Sequence, residues 1–413
     1  MKKTVILINL RFSDFYSPPL FKLVKDKGVR LVAIIDEQFK GQIGPHILPY
    51  LDQVHVLPSI AKDGFLSEFN INPLRLIVAS EANHADDVRI VCTDEFNLLN
   101  AGILRREFSL MGATDIELLP FRDKLLMKSL LKAKGIRVPN YKLLTSSDSY
   151  YDIGKELGAH FIVKPVDSSG SHGVYAIKTA IDFTVCKNKT KHYECEFEAE
   201  EFIDGKLYHV DSYTENHEIK FICANEYAFP NHDYTRGKVL SSFPLDEHDE
   251  LSFNLIQFAK KCLYVLGANN VVNHMELFVK TNGDIVFLEV SARPPGAYLN
   301  LTHRINHGIN LVDIDFALQS GLNVNLNAER TNEKAFFAIF PLKPGRVMAL
   351  KPPHVSSRFD MTWHVDQGDA ISPDRCTNII NKAAHAIFYG TTLQQLRDDF
   401  NTIKHHQAIE VAR

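Results

Sequence analysis

At 413 residues, with 45% hydrophobic and 23% charged side chains, the chain has an ordinary globular composition and enough apolar surface for about two to four domains. A formal net charge of −4 and the lack of a long basic run argue against a nucleic-acid-binding surface, and no apolar run approaches the length of a membrane span. The six cysteines (Cys92, Cys186, Cys195, Cys223, Cys262, Cys376) form no C-x-x-C pair, which reads as reduced, cytoplasmic thiols rather than a disulfide framework or a zinc site.

Met1-Lys2-Lys3 precedes an apolar run too short for a signal peptide, so Thr4–Leu10 reads as a first β-strand. Arg30–Asp36, Val54–Pro58 and Val88–Thr93 continue as strands, with helices at Pro19–Lys27 and between the later strands. This alternation predicts an α/β domain with a parallel sheet. It holds no G-x-G-x-x-G, so a nucleotide site on this domain is not supported.

A second unit begins near Gly112. Asp123 is placed to cap a helix running to Lys134, with Gly135 closing it. Lys124 and Lys128 share one face of that helix, a position in which lysines are commonly solvated. Ser149–Leu157 reads as a helix and His160–Val166 as a strand that delivers Lys164. The loop Asp167–Gly173 follows, then a returning strand, Val174–Thr179. The loop joins strand to strand and is therefore neither a Walker loop nor a Rossmann turn. Its glycines and serines could still approach phosphate oxygens closely; the alternative is a plain surface hairpin. Strands Glu194–Ile203, Tyr208–Tyr213 and Ile219–Tyr227 come next, then a helix from Glu250 to Leu266. Asn310–Ser320 is a later helix. The tail carries strands Ala335–Phe340 and Ala384–Tyr389 and a helix Thr392–Ile403.

Between the last two blocks, Val271–Thr281 and Asp284–Ser291 alternate about Asn282-Gly283, the signal of a two-residue hairpin. With those two residues as the loop, Glu276 lies opposite Glu289 and His274 opposite Ser291. The reverse face, with Met275, Leu277, Val279, Val286, Leu288 and Val290, is then a core face. Two carboxylates opposed at roughly 5 Å repel unless a cation lies between them, which points to a hard divalent ion. The alternative is an exposed acidic hairpin.

Taken in order, these segments resemble the ATP-grasp superfamily of carboxylate–amine ligases. They are Asp123-Lys124…Lys128, Phe161-Ile162-Val163-Lys164-Pro165, Gly170-Ser171-His172-Gly173, Glu200-Glu201-Phe202-Ile203-Asp204-Gly205, His274-x-Glu276 and Glu289-x-Ser291-x-Arg293-Pro294. The resemblance implies a mixed α/β and α+β fold. Its parts are an N-terminal Rossmann-like parallel-sheet domain (1–112), an ATP-grasp first part (113–205) with a mobile lid (about 141–200), a second part carrying the metal hairpin (206–330) and a C-terminal extension (331–413).

It further implies ATP contacts at Lys128, Lys164, Ser169, Gly170, Ser171, Gly173, Glu200, Glu201 and Ile203. His209 would stand in for the ribose carboxylate that the family often has where Leu207 lies here. Mg²⁺, with Mn²⁺ as a substitute, would sit on Glu276, Glu289 and Ser291, where the family commonly has Asn in place of the serine. Arg293 would stabilise the transferred phosphoryl group. The sequence after Arg293 is similar to that of ligases joining amino acids into dipeptides. That implies Gly296, Ala297 and Arg304 as substrate contacts and small-molecule amino acids as partners, with a second copy of the chain as a further candidate. Another carboxylate–amine ligase, a biotin carboxylase-like enzyme and a non-catalytic nucleotide-binding regulator are the alternatives.

Overall fold

In the N-terminal part, short apolar strands buried on both faces require helices on either side, and the chain supplies them. The computed structural model describes residues 2–10, 13–61, 67–193, 195–323 and 332–412. A four-stranded parallel sheet has the order Gln53–Leu57, Arg30–Asp36, Lys3–Ile8, Asp87–Cys92. Helices Pro19–Asp26, Ile71–Ala82 and Leu98–Glu107 accompany it. Leu311–Ser320, from far along the chain, also packs here through Phe316, which meets Tyr16 and Phe21 edge-on.

The predicted Asp123 cap forms: its carboxylate accepts the amides of Leu125 and Leu126, each at 2.9 Å, and starts helix Lys124–Ala133. Beyond it lies a four-stranded antiparallel sheet ordered Tyr141–Leu143, Phe197–Glu201, Phe161–Pro165, Tyr175–Ile177. It has its own small core, around Ile153, Phe161, Phe183 and Ala199. Helix Ala180–Thr190 belongs to this unit, with a capping box between Thr179 and Asp182. Glu194, the expected start of one strand, lies outside the described residues, as does the boundary at 330–331.

The remainder holds an eight-stranded antiparallel sheet and, beside it, a small three-stranded one ordered Ala370–Ile371, Gly345–Leu350, Ile409–Ala412. The order of the large sheet is Ile285–Ser291, Val271–Lys280, Gly205–Glu215, Glu218–Tyr227, Leu240–Pro244, Lys334–Pro341, Lys382–Gly390, Arg358–Trp363. Strands before and after residue 330 thus share a sheet. Helix Glu250–Leu266 covers one half through Leu255, Ala259, Cys262 and Leu263. Phe336, Phe388 and Phe400 build the core of the other half.

The hairpin differs from expectation in its turn. The Lys280 amide donates to the Asp284 carbonyl, so the loop has three residues, closed by Gly283 at φ +87°. Val279 therefore pairs with Ile285 and Leu277 with Phe287, one residue out of the expected register. A bulge at Leu288 restores the count, and Glu276 pairs with Glu289 and His274 with Ser291 as expected. The bulge also corrects the core face. Phe287, not Leu288, joins Met275 and Leu277 in the core, while Leu288 and Phe278 turn to the cleft.

Candidate active site

Two cavities lie between the four-stranded antiparallel sheet, the part expected to be the lid, and the large sheet, and they share a wall. The first, of about 330 Å³, is bounded by Ile162, Lys164 and Val174 from the lid and by Leu207, Phe278 and Leu288 from the large sheet. Its far edge is the connecting chain, Glu200 to Gly205. The second, of about 230 Å³, is bounded by Glu95, Ser291, Arg293, Gly296 and Ala297, with an apolar side of Leu240, Leu299, Phe337 and Ile379. Lys124, Ser168, Ser169, Ser171, His172, Asn231, Glu276 and Glu289 line both. The shared wall therefore carries two carboxylates, one lysine and the hydroxyl-rich lid tip.

The carboxylates have different surroundings. Glu276 accepts from Asn231 Nδ2 at 2.7 Å and stands 3.6 Å from His274 Nε2. Glu289 keeps a third of its side chain exposed to the cleft, with Lys124 Nζ at 3.6 Å. Ser291 follows two residues on, on the same strand face. Two carboxylates and a hydroxyl opening on one cleft are the donor set that a hard divalent cation such as Mg²⁺ or Mn²⁺ takes. Behind Glu276, burial opposes charge on His274, but Asp211 at 2.6 Å and Glu276 outweigh it and raise its pKa to about 9.

Arg293 is fixed from the N-terminal domain. Glu95 accepts from Arg293 Nε and, at 2.7 Å, from Arg122 Nη1. Burial would raise the Glu95 pKa, but the two guanidinium groups hold it at about 2.

Lys164 lines the first cavity and bonds Glu200 at 2.7 Å. Gly170 and Gly173 take φ of +65° and +68°, and a Cβ on Gly173 would stand 2.8 Å from Pro165, so this end of the tip tolerates no side chain. Glu201, Phe202 and Ile203 edge the first cavity, with Glu201 held by Arg137 at 2.7 Å.

Three expected residues stand elsewhere. Lys128 is fully buried, its ammonium 2.6 Å from Glu198 and 2.7 Å from Glu200, and reaches neither cavity. The cavity lysine on this helix is Lys124, which donates to the Ser168 carbonyl at 2.5 Å. His209 is fully buried on the cleft face of the sheet, held by Asp211 (2.9 Å) and Ser242 (2.6 Å), and lines neither cavity. Arg304 is exposed, because Leu299, Thr302, His303 and Asn306 take the buried face of its helix.

Sequence reasoning also missed Glu95 and Asn231, which open two short 3₁₀ turns with no periodic signal. Lys124 carried a signal in the Asp123-Lys124 pair.

Residues 157–300 match the ATP-grasp domain family, and the surrounding architecture is that fold. The match covers about a third of the chain, the part that carries the two central strands of the cleft. The chain is 22% identical over 271 residues to the L-arginine-specific L-amino acid ligase of Bacillus subtilis, covering 64% of this chain and 65% of that protein, just under two thirds of its length. It is 26% identical over 212 residues to D-alanine–D-alanine ligase B of Chromobacterium violaceum, covering 48% and 69%. The structure of L-amino acid ligase from Bacillus licheniformis superposes with a TM-score of 0.71 at 14% identity, covering 100% of this chain and 99% of that one. Among the described residues, no helix is long and apolar enough to cross a membrane.

Proposed function

We propose that this chain is an ATP- and Mg²⁺-dependent ligase that joins the carboxylate of one amino acid to the amine of a second, releasing ADP and phosphate. The observation that carries the reading is the wall shared by the two cavities. It sets Glu276, Glu289, Lys124 and the lid serines between a chamber walled by Ile162, Val174, Leu207, Phe278 and Leu288 that suits a nucleoside and a second chamber with room for a small substrate. The named relatives, ligases of amino acids, support it.

In this reading the γ-phosphate lies at the shared wall. A substrate carboxylate oxygen attacks it from the second chamber, the β–γ bridging P–O bond breaks, and ADP leaves. The amine nitrogen of the second substrate then attacks the acyl carbon, phosphate departs with the C–O electron pair, and the amine proton passes to solvent. A divalent cation held by Glu276 and Glu289, with Ser291 beside them, would neutralise phosphate charge. Lys124 and Lys164 approach the phosphates from the helix and from the lid. Arg293 faces the second chamber with its guanidinium set by Glu95, placed for the charge that develops on the transferring group. Ser169, Gly170 and Ser171 cover the phosphates, while Glu201 to Ile203 hold the base. Lys128 acts indirectly by fixing Glu198 and Glu200 under Lys164. The apolar wall of Leu240, Leu299, Phe337 and Ile379 suits an amino acid with an apolar side chain.

The test is phosphate release from ATP and Mg²⁺ across amino acids singly and in pairs, with mass spectrometry of the products. Apolar amino acids should stimulate release and appear in a dipeptide. Release that no amino acid changes would refute the reading.

A further inference from the structure

A cluster of soft and borderline ligands lies apart from both cavities. Cys223 is on strand Glu218–Tyr227, and His303 and His307 are one turn apart on helix Leu299–His307. One ligand atom from each, Sγ and two ring nitrogens, all lie within 4.8 Å of one another. Cys223 and His303 are buried and His307 is half-buried, so the group opens on one side. None of the three lines either cavity.

This group is more widely spaced than the hydrogen-bond network beside it. Around Asp211, the rings of His209, His274 and His303 approach carboxylate oxygens at 2.9, 2.6 and 2.6 Å, which leaves no room for an ion. Cys223 Sγ and His303 Nδ1 stand 3.8 Å apart. Two ligands on a tetrahedral zinc, at about 2.3 Å for sulfur and 2.0–2.1 Å for nitrogen, are separated by about 3.6 Å.

The surroundings prepare the ligands as well. Asp211 accepts from His303 Nε2 at 2.6 Å with Nδ1 turned toward the sulfur, the carboxylate–histidine arrangement common behind metal-bound imidazoles. Asn225 Nδ2 donates to Cys223 Sγ at 3.6 Å, which orients the sulfur. The sequence spacing hid all this, because the thiol and the imidazoles are about eighty positions apart.

We propose that Cys223, His303 and His307 form a binding site for Zn²⁺, distinct from the Glu276–Glu289 pair. Three protein ligands meet there, and water completes the shell on the His307 side. Cys223 enters as the thiolate and its proton goes to solvent. The consequence is a tie between the large sheet and helix Leu299–His307, whose first residue lines the second cavity.

The test uses the full-length chain stripped with a chelator and titrated with Co²⁺, then with competing Zn²⁺. The readout is the near-ultraviolet thiolate-to-cobalt charge-transfer band, which an all-oxygen site does not produce. Wild type should develop the band with one equivalent of Co²⁺ and lose it to Zn²⁺. Cys223→Ser should show no band. His307→Ala, at a half-buried position that spares the core, should weaken Co²⁺ binding by about 100-fold or more. No band in the wild type, or a band unchanged in His307→Ala, would overturn the site.

Discussion

Exchanging Lys128 for methionine removes the cation held between Glu198 and Glu200, whereas the same change at Lys124 removes the cation on the cavity wall. The two perturbations should therefore separate stability from turnover. Lys128 Nζ lies 2.6 and 2.7 Å from its two partners, and all three side chains are almost wholly buried. In Lys128→Met only Lys164 remains, 2.7 Å from Glu200 but 3.9 Å from Glu198. Removing one member of such a buried set costs about 3–5 kcal/mol. Glu198 limits the loss by taking up a proton, since burial already raises its pKa. The expected cost is thus about 3 kcal/mol near pH 7 and smaller in mild acid. Lys124→Met forfeits one hydrogen bond, about 1 kcal/mol of stability, but about 10²–10³-fold in ATP turnover. Denaturant midpoints followed by circular dichroism, beside ADP formation below the melting range, measure both. A Lys128→Met variant with wild-type stability and no turnover, beside an active Lys124→Met, would refute the assignment.

Glu289→Ala should abolish Mg²⁺-dependent ATP turnover yet leave the circular dichroism spectrum unchanged, because Glu276 keeps its bond to Asn231; wild-type turnover would remove the metal assignment. Glu95, with its pKa depressed from 4.5 to about 2, should contribute about 3 kcal/mol above pH 4.5, lost as pH falls through that window. Wild type should accordingly exceed Glu95→Gln in unfolding midpoint at about pH 6 and approach it in stronger acid; a pH-independent gap would show that the carboxylate charge is not what Arg122 and Arg293 hold. Hydrogen exchange at Ser168–Gly173 should slow under saturating ATP and Mg²⁺, and unchanged exchange would count against a phosphate cover.

Elements with strong local signals were legible in the sequence. The Asp123 cap, the N-terminal strands and the Glu276–Glu289 pairing follow from a capping carboxylate, apolar runs and period-two alternation. The pairing was reached through a two-residue turn, whereas the chain uses a three-residue turn and a compensating bulge, which strand alternation cannot reveal. Helix Ala180–Thr190 was not foreseen, since Ser149–Leu157 was the one helix expected in that stretch: its weak amphipathicity gave no clear stripe, and its local signal is confined to the Thr179–Asp182 capping box. Helix Leu299–His307 has no side-chain cap and is rich in Asn and His.

The misplaced residues were decided by distant partners. Helical spacing puts Lys124 and Lys128 on one face, but only the Glu198/Glu200 strand, some seventy positions away, draws Lys128 inward. His209 is claimed by Asp211 and Ser242 in the same way.

The central claim is attack of an amino-acid carboxylate on the γ-phosphate across the shared wall. Hydroxylamine added during turnover tests it most directly, with nucleotide products and trapped acyl species identified together by mass spectrometry. The account predicts ADP, not AMP, and an amino-acid hydroxamate that forms only with ATP and the stimulating amino acid. AMP with pyrophosphate, or ADP with no amino-acid dependence and no hydroxamate, would contradict it.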